Sequence, residues 1–185
     1  MPQTFRFWLV SAAALAGVVI TLALGQWQLG RAAEKRSLQA AIDGQAQKPA
    51  LTGADVSPGT ALADVIHRQA NLEGRWLPHA TVYLDNRQMA ARPGFFVLTP
   101  LRLTNSNTLV MVQRGWVPRD FIDRSRLPDV VTPEGDVRIQ VRMAPPPSKL
   151  YDFQGAAAGP IRQNIDLAAY AAETRLPLLT QLSAL

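Results

Sequence analysis

The charged positions of the chain leave one long gap. Arg6 and Arg31 are separated by residues 7–30, FWLVSAAALAGVVITLALGQWQLG, none of which is charged. A bilayer core takes about 20 consecutive apolar residues in a helix, so this run predicts a membrane-spanning segment. Trp8 and Trp27 lie near its ends, where amphipathic rings favour the headgroup region. Residues 32–46 then mix Ala, Glu, Lys, Gln and Leu and predict more helix. Residues 49–60 are rich in Pro, Gly, Ser and Thr and predict a loop.

Beyond that loop the pattern shortens to a period of two. Strand-like runs cover 64–72, 81–86 and 95–103, with Pro93-Gly94 as punctuation before the last. The turn residues Asn105, Ser106 and Asn107 sit between FFVLTPLRL and TLVMVQRGWV and predict a hairpin. In DVRIQVRM (136–143), Val137, Ile139, Val141 and Met143 alternate with Arg138, Gln140 and Arg142, so one face is buried and one wet. Pro145-Pro146-Pro147 ends that run. Asp166 has the place of an N-cap for a helix that Pro177 stops, and the last residues are either a strand or a frayed end. The expected fold is mainly β, a small antiparallel barrel or sandwich of about five strands, with the membrane helix in front and short flanking helices. Its divisions are an anchor over 1–30, a helix and loop linker over 31–60, and a β-rich domain over 61–185.

Composition narrows the chemistry. The chain of 185 residues has no cysteine, which excludes disulfides, CxxC redox pairs, CxxCH haem attachment and thiolate metal sites. The net charge of +5 comes mainly from arginine; with a membrane anchor in front, anionic lipid or an acidic partner fits better than nucleic acid. No GxSxG, HExxH, Walker A or GxGxxG pattern occurs. His67 and His79 are the only histidines, and neither has a second ligand at a metal-binding spacing. The carboxylates are scattered, so an enzyme is the weaker class, with a cryptic anchored hydrolase as its form. Arg114-Gly115-Trp116 suits either a partner surface or an anion such as a haem propionate; the plainer reading has Gly115 in a bulge and Trp116 filling the end of the sheet. Tyr83, Asn86 and Arg87 cluster ahead of a turn, where turn chemistry is the plain alternative to binding.

A small-x-small pair, Ala23 and Gly25, would permit signal cleavage before Gln26, but the apolar run exceeds the roughly 7–15 residues of a signal peptide. Charge alone, with Arg6 ahead and Arg31, Lys35 and Arg36 behind, would put the domain in the cytoplasm.

LGQWQLGR at 24–31, followed by Glu34-Lys35, is similar to the first-helix signature of the surfeit locus protein 1 family. Five further matches follow in order: GRW at 74–76, VYLDNR at 82–87, RPGFFVLTPL at 92–101, VQRGWVPRD at 112–120 and QNID at 163–166. Two departures are Gln113 and Gln140, where the family pattern suggests Asn and Gly. The resemblance implies an assembly factor for cytochrome c oxidase, tied to haem a handling. It also implies a bacterial or inner mitochondrial membrane; with no long Arg- and Ser-rich presequence at the start, the bacterial cytoplasmic membrane is expected, with the amino terminus inside and the domain on the periplasmic side. The implied partners are oxidase subunits and the lipid bilayer, with no nucleic acid and no catalysis. Family members carry a second membrane helix holding the usual haem-ligand histidine, and this chain ends at Leu185, before it. Weak cofactor candidates here are Arg31, Arg114 and Trp116, and the interaction candidates are Tyr83, Asn86, Arg87, Arg92, Arg114 and Trp116. Trp8, Trp27 and Arg31 are expected at the membrane interface. The alternative is an interaction module that serves another complex.

Overall fold

The computed structural model describes residues 3–104, 106–123, 126–151 and 158–185. It divides into two compact units, Met1–Gly44 and Gln45–Leu185. The first is almost all of helix α1, Gln3–Ala46, which contains no buried residue. Its 44 residues extend about 66 Å at 1.5 Å per residue, and it is long and apolar enough to cross a membrane. The helix does not stop at Arg31, because the good helix formers behind it sustain the same backbone.

The second unit is built on one eight-stranded sheet. Its strands are β1 (Leu51–Thr52), β2 (Gln69–Trp76), β3 (Val82–Met89), β4 (Arg92–Leu103), β5 (Leu109–Pro118), β6 (Asp136–Ala144), β7 (Ile161–Arg162) and β8 (Leu178–Ala184). A one-turn helix α2 (Leu62–Val65) precedes β2, and helix α3 (Leu167–Thr174) precedes β8. The order is β1-β2-β6-β8-β5-β4-β3-β7, and β2 also pairs with β4, so the pairings return from β4 to β2. The expectation of a purely antiparallel sheet is corrected. β1 on β2, β7 on β3 and β8 on β5 are parallel. Hairpin signals reveal only neighbours joined by a short turn, whereas parallel pairs need long crossovers.

Several local expectations hold. The β4–β5 hairpin forms, with Leu101 opposite Val110 and Arg102 opposite Leu109. Of its expected turn, Asn105 lies outside the described residues, as do residues 124–125 of the charged loop after Pro118. On β6, Val141 and Met143 are buried, and Val137 and Ile139 pack partly buried against the same core. Gln140 sits in a regular ladder opposite Asn71, with its amide donating to Gln69 Oε1 at 3.1 Å.

Others change. Of the strand expected over 64–72, the first residues form α2, which buries Val65. His67 is not in a strand: at φ 68° it turns the chain from α2 into β2. Pro93-Gly94 belongs to β4 rather than preceding it, because the turn comes earlier, at Ala90 and Ala91. A two-residue strand, β1, lies inside the expected loop. The terminal segment resolves to strand β8.

The long apolar run of β4 is explained by burial on both faces. Phe95, Val97, Leu101 and Leu103 share one face; Leu101 and Leu103 join the core formed with β2, β5, β6 and β8, while Phe95 and Val97 pack with Tyr83 of β3 and Val117 of β5. Phe96 and Leu98 lie on the other, under α3, where Leu167 and Tyr170 pack with Leu109 and Met111.

Helix α3 begins as the sequence predicts: the Asp166 carboxylate accepts from the N–H groups of Ala168 and Ala169. It ends on Arg175 in the left-handed conformation, φ 56°. Arg162 of β7 holds α3 by a two-pronged pair with Glu173, at 2.8 and 2.6 Å. The Arg162 hydrogen bonds keep the Glu173 carboxyl below its ordinary 4.5. The stability it contributes is therefore complete above that pH and disappears as pH falls through the lower folded value. A Glu173→Gln variant is expected to melt below the parent at neutral pH, with the gap closing in strong acid. A melting difference independent of pH would contradict this.

Candidate functional site

Two β-bulges set the geometry of the motif residues. In β5, Val97 faces Gly115 but the next residue, Leu98, faces Gln113, so Arg114 is the extra residue. Gly115 takes φ 144°, which glycine adopts without strain. In β3, Leu84 faces Phe96 and Arg87 faces Gly94, so Asp85 and Asn86 together oppose Phe95. Asn86 supplies the left-handed residue at φ 58°, and its N–H bonds the Asp85 carboxylate. A bulge shifts every later side chain to the opposite face. Both shifts therefore bring Arg87 and Trp116 to the Phe96 face, while Arg114 and Val117 stay on the Phe95 face.

On the Phe96 face, the Trp116 indole N–H donates to the Arg87 carbonyl at 2.8 Å. The ring lies against Gly94, where a Cβ would come within 2.4 Å of it and 2.3 Å of the Val117 carbonyl oxygen. Arg87 is buried, with its guanidinium 5.9 Å from the Phe96 ring centroid. It donates to the carbonyls of Ser148 at 3.0 Å and Gln163 at 3.4 Å. Its Nε is buried without a partner among the described residues, and burial lowers its pKa.

On the Phe95 face, Arg114 stacks 4.7 Å over the Trp76 ring. It donates to Thr132 Oγ1 at 2.6 Å and to the Val131 carbonyl at 2.7 Å. Burial lowers its pKa, and the nearby Tyr83 opposes that. Tyr83 meets Phe95 edge-on at 6.1 Å and donates to the Pro128 carbonyl at 3.3 Å. Burial raises the Tyr83 pKa, Arg114 pulls it down and Asp129 pushes it up. Arg119 pairs with Asp85 and lies 5.3 Å over Phe95. Arg92 is exposed beside the β3–β4 turn, away from these contacts. On α1, Arg31 stands 5.4 Å over Trp27, and Trp8 and Trp27 are exposed.

The structure thus joins segments far apart in sequence: 74–76 to 112–120 through Trp76 and Arg114, 82–87 to 112–120 through Arg87 and Trp116, and 163–166 to 82–87 through the Gln163 carbonyl. The Asp85–Arg119 pair and the Gly94 contact were not singled out as site features in the sequence. The signal that could have found them is the recurrence of Asp85, Gly94 and Arg119 inside the motifs themselves. Among the described residues neither Arg87 nor Arg114 forms an ion pair with a carboxylate, and each donates to the chain's own loops while Arg87 Nε stays without a partner.

Across residues 15–184 the chain matches the profile of the SURF1 family. It belongs to that family. Among curated relatives, it is similar to a SURF1-like protein of Rickettsia conorii, 28% identical over 52% of this chain and 39% of that one. A SURF1-like protein of Rickettsia felis is 27% identical over 58% of this chain and 44% of its own. Surfeit locus protein 1 of Arabidopsis thaliana is 29% identical over 58% of this chain and 33% of its own. The chain spans about two fifths of the length of the Rickettsia relatives it matches. This places the motif contacts in a SURF1 domain.

A haem would need an axial ligand beside a cavity and free cationic donors for its propionates. His79 is exposed on the short turn Pro78–Ala80 and His67 is half-buried. Neither lines a described cavity, and neither imidazole bonds a carboxylate among the described residues. Arg114 and Trp116 already have internal partners. Among the described residues, neither histidine stands at a described cavity beside Arg114 or Trp116, and Arg31 lies on α1 over Trp27. No group of three or more His, Asp or Glu with metal-binding proximity occurs among them.

Proposed function

We propose that this SURF1-family chain is a membrane-tethered assembly factor for cytochrome c oxidase. Helix α1 is the anchor in a bacterial cytoplasmic membrane, with the short amino-terminal tail inside and the β-rich domain on the periplasmic side. The domain works by binding oxidase subunits while haem a is inserted, without chemistry of its own. Assisting haem a delivery is the finer part of this proposal, with Arg31 beside Trp27 as the candidate for the propionates.

The family match over 15–184 carries this reading, because it includes the segments whose side chains interlock around Arg87, Arg114 and Trp116. Those contacts make a rigid end to the sheet, as a recognition surface requires, with the arginines as positioning residues. Deleting the gene is expected to lower cytochrome c oxidase activity several-fold while upstream respiratory activities persist, and expression of this chain should restore it. Unchanged oxidase activity in the deletion strain would overturn the proposal.

A further inference from the structure

The domain ends in two adjacent tips, one from the β3–β4 turn and one from the segment after β5. The first is closed by Ala90 and Ala91, at φ 49° and 60°. Two-residue hairpin turns of this left-handed kind favour Asn-Gly, and a residue with a Cβ is strained there. The tip keeps apolar residues despite that strain, and Met89 beside them is 48% exposed. The second tip starts level with the first, since the Arg119 N–H donates to the Pro93 carbonyl at 3.2 Å. Its shape is fixed by Asp120, whose carboxylate accepts from the N–H groups of Ile122 at 2.8 Å and Asp123 at 3.1 Å. That turn leaves Phe121 70% and Ile122 98% exposed.

Basic side chains flank the tips. Arg92 is exposed, and Arg126, with its side chain 75% exposed, reaches Asp120 only at 3.9 Å. The Asp120 carboxylate is tied into the turn by two backbone N–H groups, and Asp85 is paired with Arg119. Long basic stems beside exposed apolar residues are the arrangement that anchors a protein at a lipid interface. A protein partner of ordinary size needs a broad packed patch of about 800 Å² on each side, which two narrow tips do not offer.

We infer that these tips, Met89 to Ala91 and Phe121-Ile122, dip into the interfacial region of a phospholipid bilayer. The occupant is lipid because the same chain carries α1, long and apolar enough to cross a membrane. A tethered domain meets the bilayer at high effective concentration, so shallow insertion of a few apolar side chains suffices. The inference rests on α1 as an anchor and is independent of the oxidase.

The absence of cysteine allows single-site labelling of the full chain. Three variants, Val19→Cys in α1, Ile122→Cys and Gln140→Cys on the exposed face of β6, would be labelled with an environment-sensitive dye. Each would be reconstituted into phosphatidylethanolamine–phosphatidylglycerol vesicles containing brominated lipid. The expected result is a blue-shifted, bromine-quenched signal at Val19 and Ile122 and a water-like signal at Gln140. Adding Phe121→Asp to Ile122→Cys should remove the shift at Ile122 and leave α1 inserted. A water-like signal at Ile122 with a lipid-like one at Val19 would overturn docking while sparing the anchor. Water-like signals at both would overturn the anchor and the docking together. A shift at Ile122 that requires added oxidase and shows no bromine quenching would assign the tips to a protein partner and overturn the inference.

Discussion

Replacing Gly74 by alanine is expected to destabilise the domain by about 3 kcal/mol or more, lowering its melting temperature by roughly 10 °C. Gly74 lies where β2 serves two neighbours, opposite Val137 of β6 and Leu103 of β4. A Cβ there would sit 2.0 Å from the Arg102 carbonyl oxygen and 2.8 Å from its carbonyl carbon. Those are backbone atoms, so no rotamer change relieves the clash. Strands β2 and β4 would have to separate, with loss of the Glu73 carbonyl bond to the Thr104 N–H at 2.8 Å. Trp76 and Leu101 stand two rungs further along that pairing, so the disturbance reaches the Arg114 stack. Thermal melting of the full chain in detergent, followed by near-ultraviolet circular dichroism, reads the loss. An unchanged melting temperature would mean that β2 and β4 do not meet.

Trp116→Ala should cost about 3 kcal/mol, through lost ring packing on Gly94 and an Arg87 carbonyl left without its donor. Gly94→Ala should cost a similar amount, because its new Cβ would strike both the Trp116 ring and the Val117 carbonyl. The double variant is expected to lose less than the sum, since removing the indole relieves one of the two collisions. The backbone collision remains, so the relief is partial. Strict additivity in urea titrations of the four proteins would show that the ring and the glycine do not touch. On the proposed function, both single variants should also reduce oxidase assembly at growth temperature, through a smaller folded population.

Much of this was legible in the residues. An uncharged run over 7–30 can bury itself only in lipid or a protein core, so its helix follows from composition alone. Strict alternation over 136–143 dictates a half-buried strand, and Asp166 ahead of an alanine-rich run dictates a capped helix. The β4–β5 hairpin follows because its partners are neighbours in sequence. Pro93-Gly94 misled, because glycine there serves close approach of the Trp116 ring rather than a turn. The turn at Ala90-Ala91 carried none of the usual residues. The RGW motif marked a bulge and an aromatic at one position, but its faces could not be read. Whether Trp116 meets Arg87 or Arg114 meets Trp76 depends on which side of two bulges each residue falls.

The sequence by itself determined the apolar helix, most strand positions and the family, because each depends on local pattern or on residues within one segment. Tertiary structure alone decided the parallel pairing of β8 with β5 and of β7 with β3, the double service of β2, and the inward commitment of Arg87 and Arg114. Those depend on contacts between residues tens of positions apart. Strand order, and the partner each buried donor finds, are chosen by the packing of the whole domain rather than by any one segment's preference.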